Sequence, residues 1–292
     1  MSGAQVHDLG YRQFEGQRSG LGWAMKSLGI HAIQRVLGLK RAARHKLLPV
    51  AVIFIAFVPA LVFVGMAAFL PQSLLEEDIL PSYAEYYGFI LTAIFLFASF
   101  VAPEAICTDR RTGMMALYLA SPLNRTTYII SKVAAVAIVL LTITWLPEVL
   151  LLLAYSIEGA GPEGIDGFLE TLARITAAGA LAAAYFAALS SAIASLTPRR
   201  GIASAAIVMS LLIPAIVLGI VLEATDVADE LDLLNITAVP LRAVDWILEG
   251  TPTNDRGVSS VSGSLTVAVT LAATALFTSI TWWRYQHIEV ER

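Results

Sequence analysis

Six apolar runs, each long enough to cross a bilayer, constrain this chain more than any other feature. They cover residues 47–70, 86–107, 132–156, 172–196, 202–222 and 264–283. At 1.5 Å per helical residue, about 24 residues in the first run reach about 36 Å, enough to cross a hydrocarbon core of about 30 Å. Lipid offers no partner to backbone N–H and C=O groups, so such runs satisfy themselves as helices. The expected fold is an all-α integral membrane protein with six transmembrane helices. An N-terminal amphipathic interfacial helix precedes them, and a re-entrant or external helical segment lies between the fifth and sixth spans. Residues 1–46 form the tail and interfacial helix; residues 47–292 form the six-helix transmembrane domain.

Composition agrees: 57% of residues are hydrophobic and 14% charged, where soluble domains carry roughly 25% charged residues. The formal net charge of -4 conceals a strong asymmetry. Eight cations precede the first span, four lie between Asp109 and Lys132, two stand at Arg199-Arg200 and two in the tail. Only Arg242 and Arg256 occupy the alternate loops, which carry the acids Glu76, Glu77, Asp78, Glu85, Glu158, Glu163, Asp166 and Glu170. Cationic loops stay on the cytoplasmic side, so both termini are expected there, in a multi-pass protein of the cell (plasma) membrane, bacterial in type. The first 46 residues are polar and basic and are read as containing no secretory signal.

Residues 26–46 place Leu28, Ile33, Val36, Leu37 and Leu39 on an apolar side and Lys26, Arg35, Lys40, Arg41, Arg44 and Lys46 on a basic one. That suits a helix lying in the membrane interface, or a plain basic anchor. In the fourth span Gly179, Ala183, Ala187, Ser191 and Ser195 recur every fourth residue, a small-residue face for close packing, expected within the chain, with a dimer face as the alternative. The longest connection, residues 223–263, contains Leu231 to Gly250, whose apolar residues Pro240 splits into two pieces too short to span. These are expected to re-enter the membrane or form an external cap. Asn235-Ile236-Thr237 matches a glycosylation acceptor and carries no weight.

The polar stretch from Asp109 to Lys132, DRRTGMMALYLASPLNRTTYIISK, has a pattern of its own. Thr112-Gly113 breaks the arriving helix, Met114 to Ala120 favours a short apolar helix, and Ser121-Pro122 begins a turn before the next helix.

Chemistry within the chain has few places to reside. There is no phosphate-cradling G-x-x-x-x-G-K-[ST] loop, no H-E-x-x-H pair and no G-x-S-x-G elbow. His7, His31, His45 and His287 all lie in the basic end segments, away from any intramembrane cluster, and the lone Cys107 reads as packing. A charge within a span costs about 2.5 kcal/mol or more, which singles out Glu104, Glu148 and Arg174. Glu104 is expected to pair with Arg110, Arg111 or another nearby cation, and Glu148 with Arg174; alternatively Glu148 lines a substrate path.

Asp109, Arg110, Gly113, Tyr118 or Leu119, Pro122, Arg125 and Lys132 together resemble the D/E-R-x-x-G-x-x-x-x-L-x-x-x-P-x-x-R pattern of the type-2 ABC exporter permease family. The overall layout resembles that family too. The resemblance implies a permease subunit forming half of a translocation path, with a second permease, identical or homologous, and two copies of a separate ABC ATP-binding subunit. ATP and Mg would belong to that partner, with no cofactor, metal or catalytic residue in this chain. It also implies that Asp109, Arg110, Arg111, Gly113, Leu117, Leu119, Pro122 and Arg125 make the ATPase-coupling contacts, with the 26–46 helix beside them. Membrane lipid is a further partner and nucleic acid is not. An amphipathic or apolar cargo is favoured, with a gate near Leu211, Leu212 and Pro214. Two other readings stay open: a membrane-embedded lipid-modifying enzyme, and a non-transporting anchor for an ATPase.

Overall fold

The computed structural model describes residues 20–39, 42–70, 79–224, 233–250, 253–254, 257–258 and 261–288. The tail before Gly20, Lys40, Arg41, the acids Glu76, Glu77 and Asp78, and residues 225–232 of the long connection lie outside them. Among the described residues six helices are long and apolar enough to cross a membrane. They are α2 (Leu47–Phe69), α3 (Tyr83–Arg111), α5 (Arg125–Glu158), α6 (Gly164–Leu196), α7 (Arg200–Val221) and α9 (Gly263–Gln286). Three shorter helices join them: α1 (Leu21–Val36), α4 (Met114–Leu119) and α8 (Ala238–Glu249).

Several helices run past the apolar run that announces them because capping residues, not hydrophobicity, set their ends. Ser82 starts α3 with a reciprocal capping box: its hydroxyl accepts from Glu85 N at 3.2 Å and its own N–H reaches Glu85 at 3.0 Å. Asn124 does the same for α5 with Thr127. Each box satisfies donors that a helix start leaves orphaned.

Two spans are interrupted where proline removes a backbone donor. In α3 a π turn at Phe97–Val101 ends two residues before Pro103. In α5 the helix breaks at Trp145, two residues before Pro147. Helix α6 supports that second break: Thr144 Oγ1 donates to Gly179 O at 3.1 Å and Trp145 Nε1 to Thr176 Oγ1 at 3.0 Å.

Helix α6 is the centre of the bundle. Its span is 72% buried within the chain, against 17% for α7 and α9 and 22% for α2. Helices α5 and α9 flank it, α3 and α7 pack on its other sides, and α8 lies across α6 and α9. Gly179, Ala183, Ala187, Ser191 and Ser195 are all buried within this one chain, as an intrachain packing face requires. The outer helices direct Phe54, Leu61, Met209, Ile216 and Leu276 outward, as lipid demands.

The connection before α9 differs from the split at Pro240 expected from sequence. Pro240 falls in the first turn of a single helix, α8, where its missing N–H has no intrahelical partner to lose. The irregular backbone before it is satisfied inside the protein. Tyr185 OH donates to Ile236 O at 2.7 Å and Thr237 Oγ1 to Leu211 O at 2.7 Å. Asn235 is buried, its side-chain oxygen accepting from the Thr237 and Ala238 N–H groups at 3.2 Å each. Leu211 is thus packed against this segment while Leu212 faces outward.

The interfacial helix α1 begins at Leu21, earlier than its charge pattern suggests, and ends at Val36. It packs Leu28, Ala32 and Val36 inward, chiefly along the start of α5. Gly38 turns the chain back with φ 66°, and a Cβ there would come within 2.3 Å of His45 O. Conformation and space together demand glycine.

Candidate functional site: a buried ionic hub behind an exposed short helix

At the basic end of the bundle one carboxylate joins three helices. Asp109, in the last turn of α3, is completely buried. Its Oδ1 accepts from Arg35 Nη1 of α1. Its Oδ2 accepts from Tyr128 OH at 2.8 Å and lies 2.7 Å from Lys132 Nζ, both on α5. Tyr128 and Lys132 are four residues apart and share a helix face, which is how α5 presents a phenol and an ammonium to the same oxygen. Lys132 is as deeply buried as Asp109. Its ammonium lies 5.6 Å from the ring centre of Tyr118 and 5.7 Å from that of Tyr128, within cation–π range. The Tyr128 ring in turn packs 5.9 Å from Tyr285 of α9. Burial pushes the Tyr118 phenol up, and the nearby Asp109 charge adds to the effect.

Two arginines seal the rim by capping helix C-termini, where carbonyls lack intrahelical partners and the dipole favours a cation. Arg110 Nη1 donates to Ser195 O at 2.5 Å, near the end of α6. Arg125 Nη1 donates to Tyr285 O at 3.3 Å and to Gln286 O at the end of α9. Trp282 Nε1 and Gln286 Nε2 of α9 both reach Thr126 Oγ1, at 3.2 and 3.0 Å, completing that junction.

Helix α4 hangs outside this hub. Gly113, at φ 69°, ends α3 and opens α4 in a left-handed conformation. The helix turns Met115 inward, leaves Tyr118 and Leu119 half-buried, and exposes Leu117 to 64%. Arg111, Thr112, Ala116, Ser121 and Pro122 are exposed around it. The outward surface is therefore small, mixed apolar and basic, and rigidly backed.

This divides the stretch singled out in the sequence. Arg111, Gly113, Leu117 and Pro122 lie on the surface and Leu119 is half-buried. Asp109 is not a surface contact at all, and Arg110 and Arg125 are partly buried and engaged with backbone carbonyls. The sequence could not separate them, because it showed the charges without their partners. The contribution of Arg35, in direct contact in space but 74 positions away in the chain, left no local signal.

Among the described residues, the intramembrane ionisable residues find partners on other helices or none. Glu104 pairs with a cation from another helix, Arg200 of α7, at 2.6 Å, and Arg200 also donates to Phe100 O at 2.7 Å inside the π turn. The widened turn thus offers a carbonyl to the start of a neighbouring span. Glu148 and Arg174 do not pair. Arg174 Nη2 binds Glu170 at 2.6 Å on its own helix and Nη1 donates to Leu248 O of α8 at 3.1 Å. Glu148 is fully buried, with no hydrogen-bond partner for either oxygen among the described residues. Cys107 is buried beside the carbonyls of Ala194 and Thr197, at 3.5 and 3.4 Å. No group of three or more His, Cys, Asp or Glu able to hold a metal occurs among the described residues.

Comparison with known proteins adds one finding of similarity. A family model described as ABC-2 family transporter protein matches residues 70–283, a region that contains α3 through α8 and nearly all of α9 but not α1. No curated protein matches the chain.

Proposed function

The chain belongs to the ABC-2 family of transporter proteins, and from that membership we propose that it is the permease subunit of an ATP-driven exporter, moved by separate ATP-binding subunits that dock at its basic end. Membership itself makes it a transport membrane protein rather than an enzyme. The rest of the proposal is finer. Two ATP-binding subunits, carrying ATP and Mg, pair with this permease and a second one, identical or homologous, in a cell membrane of bacterial type. The basic end and both termini face the cytoplasm.

One observation supports this most directly: the exposed helix α4 is backed by the Asp109 hub. A docking element transmits force only if it cannot deform locally. Here Tyr118 of α4 lies against the ammonium of Lys132, and Asp109 ties that residue to α1 and α3. A displacement of α4 is therefore passed to three helices as a rigid-body movement. Gly113 at one end and the Ser121-Pro122 turn at the other allow its angle to change.

The test is co-purification of the tagged chain with the ATP-binding protein encoded beside its gene, in mild detergent. Leu117→Asp and Arg111→Glu, both on the exposed surface, are expected to abolish the complex and its coupled ATPase activity while the permease remains folded. A wild-type chain that never binds a folded ATP-binding partner would sink the proposal.

A further inference from the structure

Glu148 stands apart from the hub and takes no part in the proposed coupling. It lies in the first turn of the second segment of α5, just past Pro147, with no solvent exposure. Helix α2, which packs along this segment, contains no titratable residue between Leu47 and Phe69. Helix α3 brings Tyr83, Tyr86 and Tyr87, all within electrostatic reach of Glu148. Tyr155, on the segment itself, packs its ring 6.0 Å from that of Tyr83. Helix α6 brings Arg174, engaged with Glu170 and Leu248 O, and Asp245 of α8 acts on Tyr87. Among the described residues neither oxygen of the carboxyl group has a hydrogen-bond partner.

Two further polar groups in this place are also unsatisfied. Tyr86 OH donates to Ala56 O at 2.6 Å, but the buried hydroxyls of Tyr83 and Tyr87 have no partner among the described residues. They are spaced four apart on one face of α3, and Glu148 is within electrostatic reach of both. An ionised carboxylate here would be a bare charge removed from water, the costliest state the group can adopt. A metal ion would need several oxygen ligands, and no group of three or more His, Cys, Asp or Glu able to hold one occurs among the described residues. A proton needs one oxygen and no space.

We propose that Glu148 is a proton-binding site, filled in this conformation and emptied when water reaches it. On binding, a carboxylate oxygen forms an O–H bond with a proton delivered by water; on release the proton returns to water, and no other bond changes. The Tyr83 and Tyr87 hydroxyls, unpartnered among the described residues and able both to donate and to accept, are available to solvate the carboxylate once the segment shifts. The break at Trp145 lets the segment carrying Glu148 tilt away from α3 without unwinding the span. This inference is independent of the transport proposal, since it concerns the isolated chain.

Infrared difference spectroscopy of the full chain in lipid nanodiscs, taken from neutral to alkaline pH, tests it through the C=O stretch of a protonated carboxyl group. The wild type is expected to show that band at neutral pH and lose it on alkalinisation. Glu148→Gln, a neutral mimic of the filled site, is expected to fold and to lack it. An identical band in wild type and Glu148→Gln would overturn the proposal. Tyr83→Phe/Tyr87→Phe keeps the carboxyl group and removes both hydroxyls, so the midpoint of band loss is expected to move by about one pH unit. An unmoved midpoint would overturn the proposal even if Glu148→Gln failed to fold.

Discussion

Lys132 Nζ lies 2.7 Å from Asp109 Oδ2, and neither side chain retains any contact with solvent. Removing one member of such a pair strands the other. Asp109→Asn leaves two cations, Arg35 and Lys132, facing a neutral amide, and is expected to cost about 3–5 kcal/mol. The measurement is chemical or thermal unfolding in detergent. Asp109→Asn/Lys132→Met should lose less than the sum of its single substitutions; strict additivity would show that the two do not share one interaction.

Gly113 joins α3 to α4 at φ 69° with open space around its α-carbon, so conformation alone restricts it. Gly113→Ala is expected to cost about 1–2 kcal/mol, from the left-handed backbone. Gly113→Asn should be milder, because asparagine tolerates that region. Melting temperatures of the two variants decide the matter, and equal losses would point to a packing role instead.

Neighbouring residues of α4 should behave in opposite ways. Met115 is 5% exposed and Leu117 64%. Met115→Asp buries an unpartnered carboxylate and is expected to reduce folded yield, with a loss of about 2 kcal/mol or more. Leu117→Asp should unfold no more easily than wild type, within about 0.5 kcal/mol, yet fail to retain an ATP-binding subunit. Size-exclusion profiles of the permease alone and in complex separate the two effects.

Arg174 and Glu148 should prove energetically independent. A double-mutant cycle with Arg174→Gln and Glu148→Gln is expected to give a coupling near zero. Coupling between Arg174 and Glu170, a partly exposed pair one turn apart, should reach only about 0.3–0.5 kcal/mol and fade with salt. A large Glu148–Arg174 term would mean that the two meet in another conformation.

Much of this molecule was legible before its fold. The apolar runs announced six spans, and Thr112-Gly113 with Ser121-Pro122 announced the short helix between α3 and α5. These are local signals, carried by chain length, hydropathy and residues that stop helices. Proline was harder to read. Pro147 marks a real helix break and Pro103 follows a π turn, whereas Pro240 only begins a helix, because its effect depends on whether a partner for the missing N–H would have existed.

The ionic residues were the least legible. Asp109 stood in the sequence among exposed-looking cations, and only the packing of α1 against α5 brings Arg35 to it and removes it from the surface. Glu104 found its partner on α7, and Glu148 found none. The sequence by itself determined that this chain crosses a membrane as helices and where its short polar-stretch helix begins and ends, since bilayer thickness and helix capping act on consecutive residues. Which charges are joined, which are exposed and which is left alone was decided by the tertiary structure. Burial and partnership are properties of neighbours in space, and residues 74 positions apart become neighbours only when the helices pack.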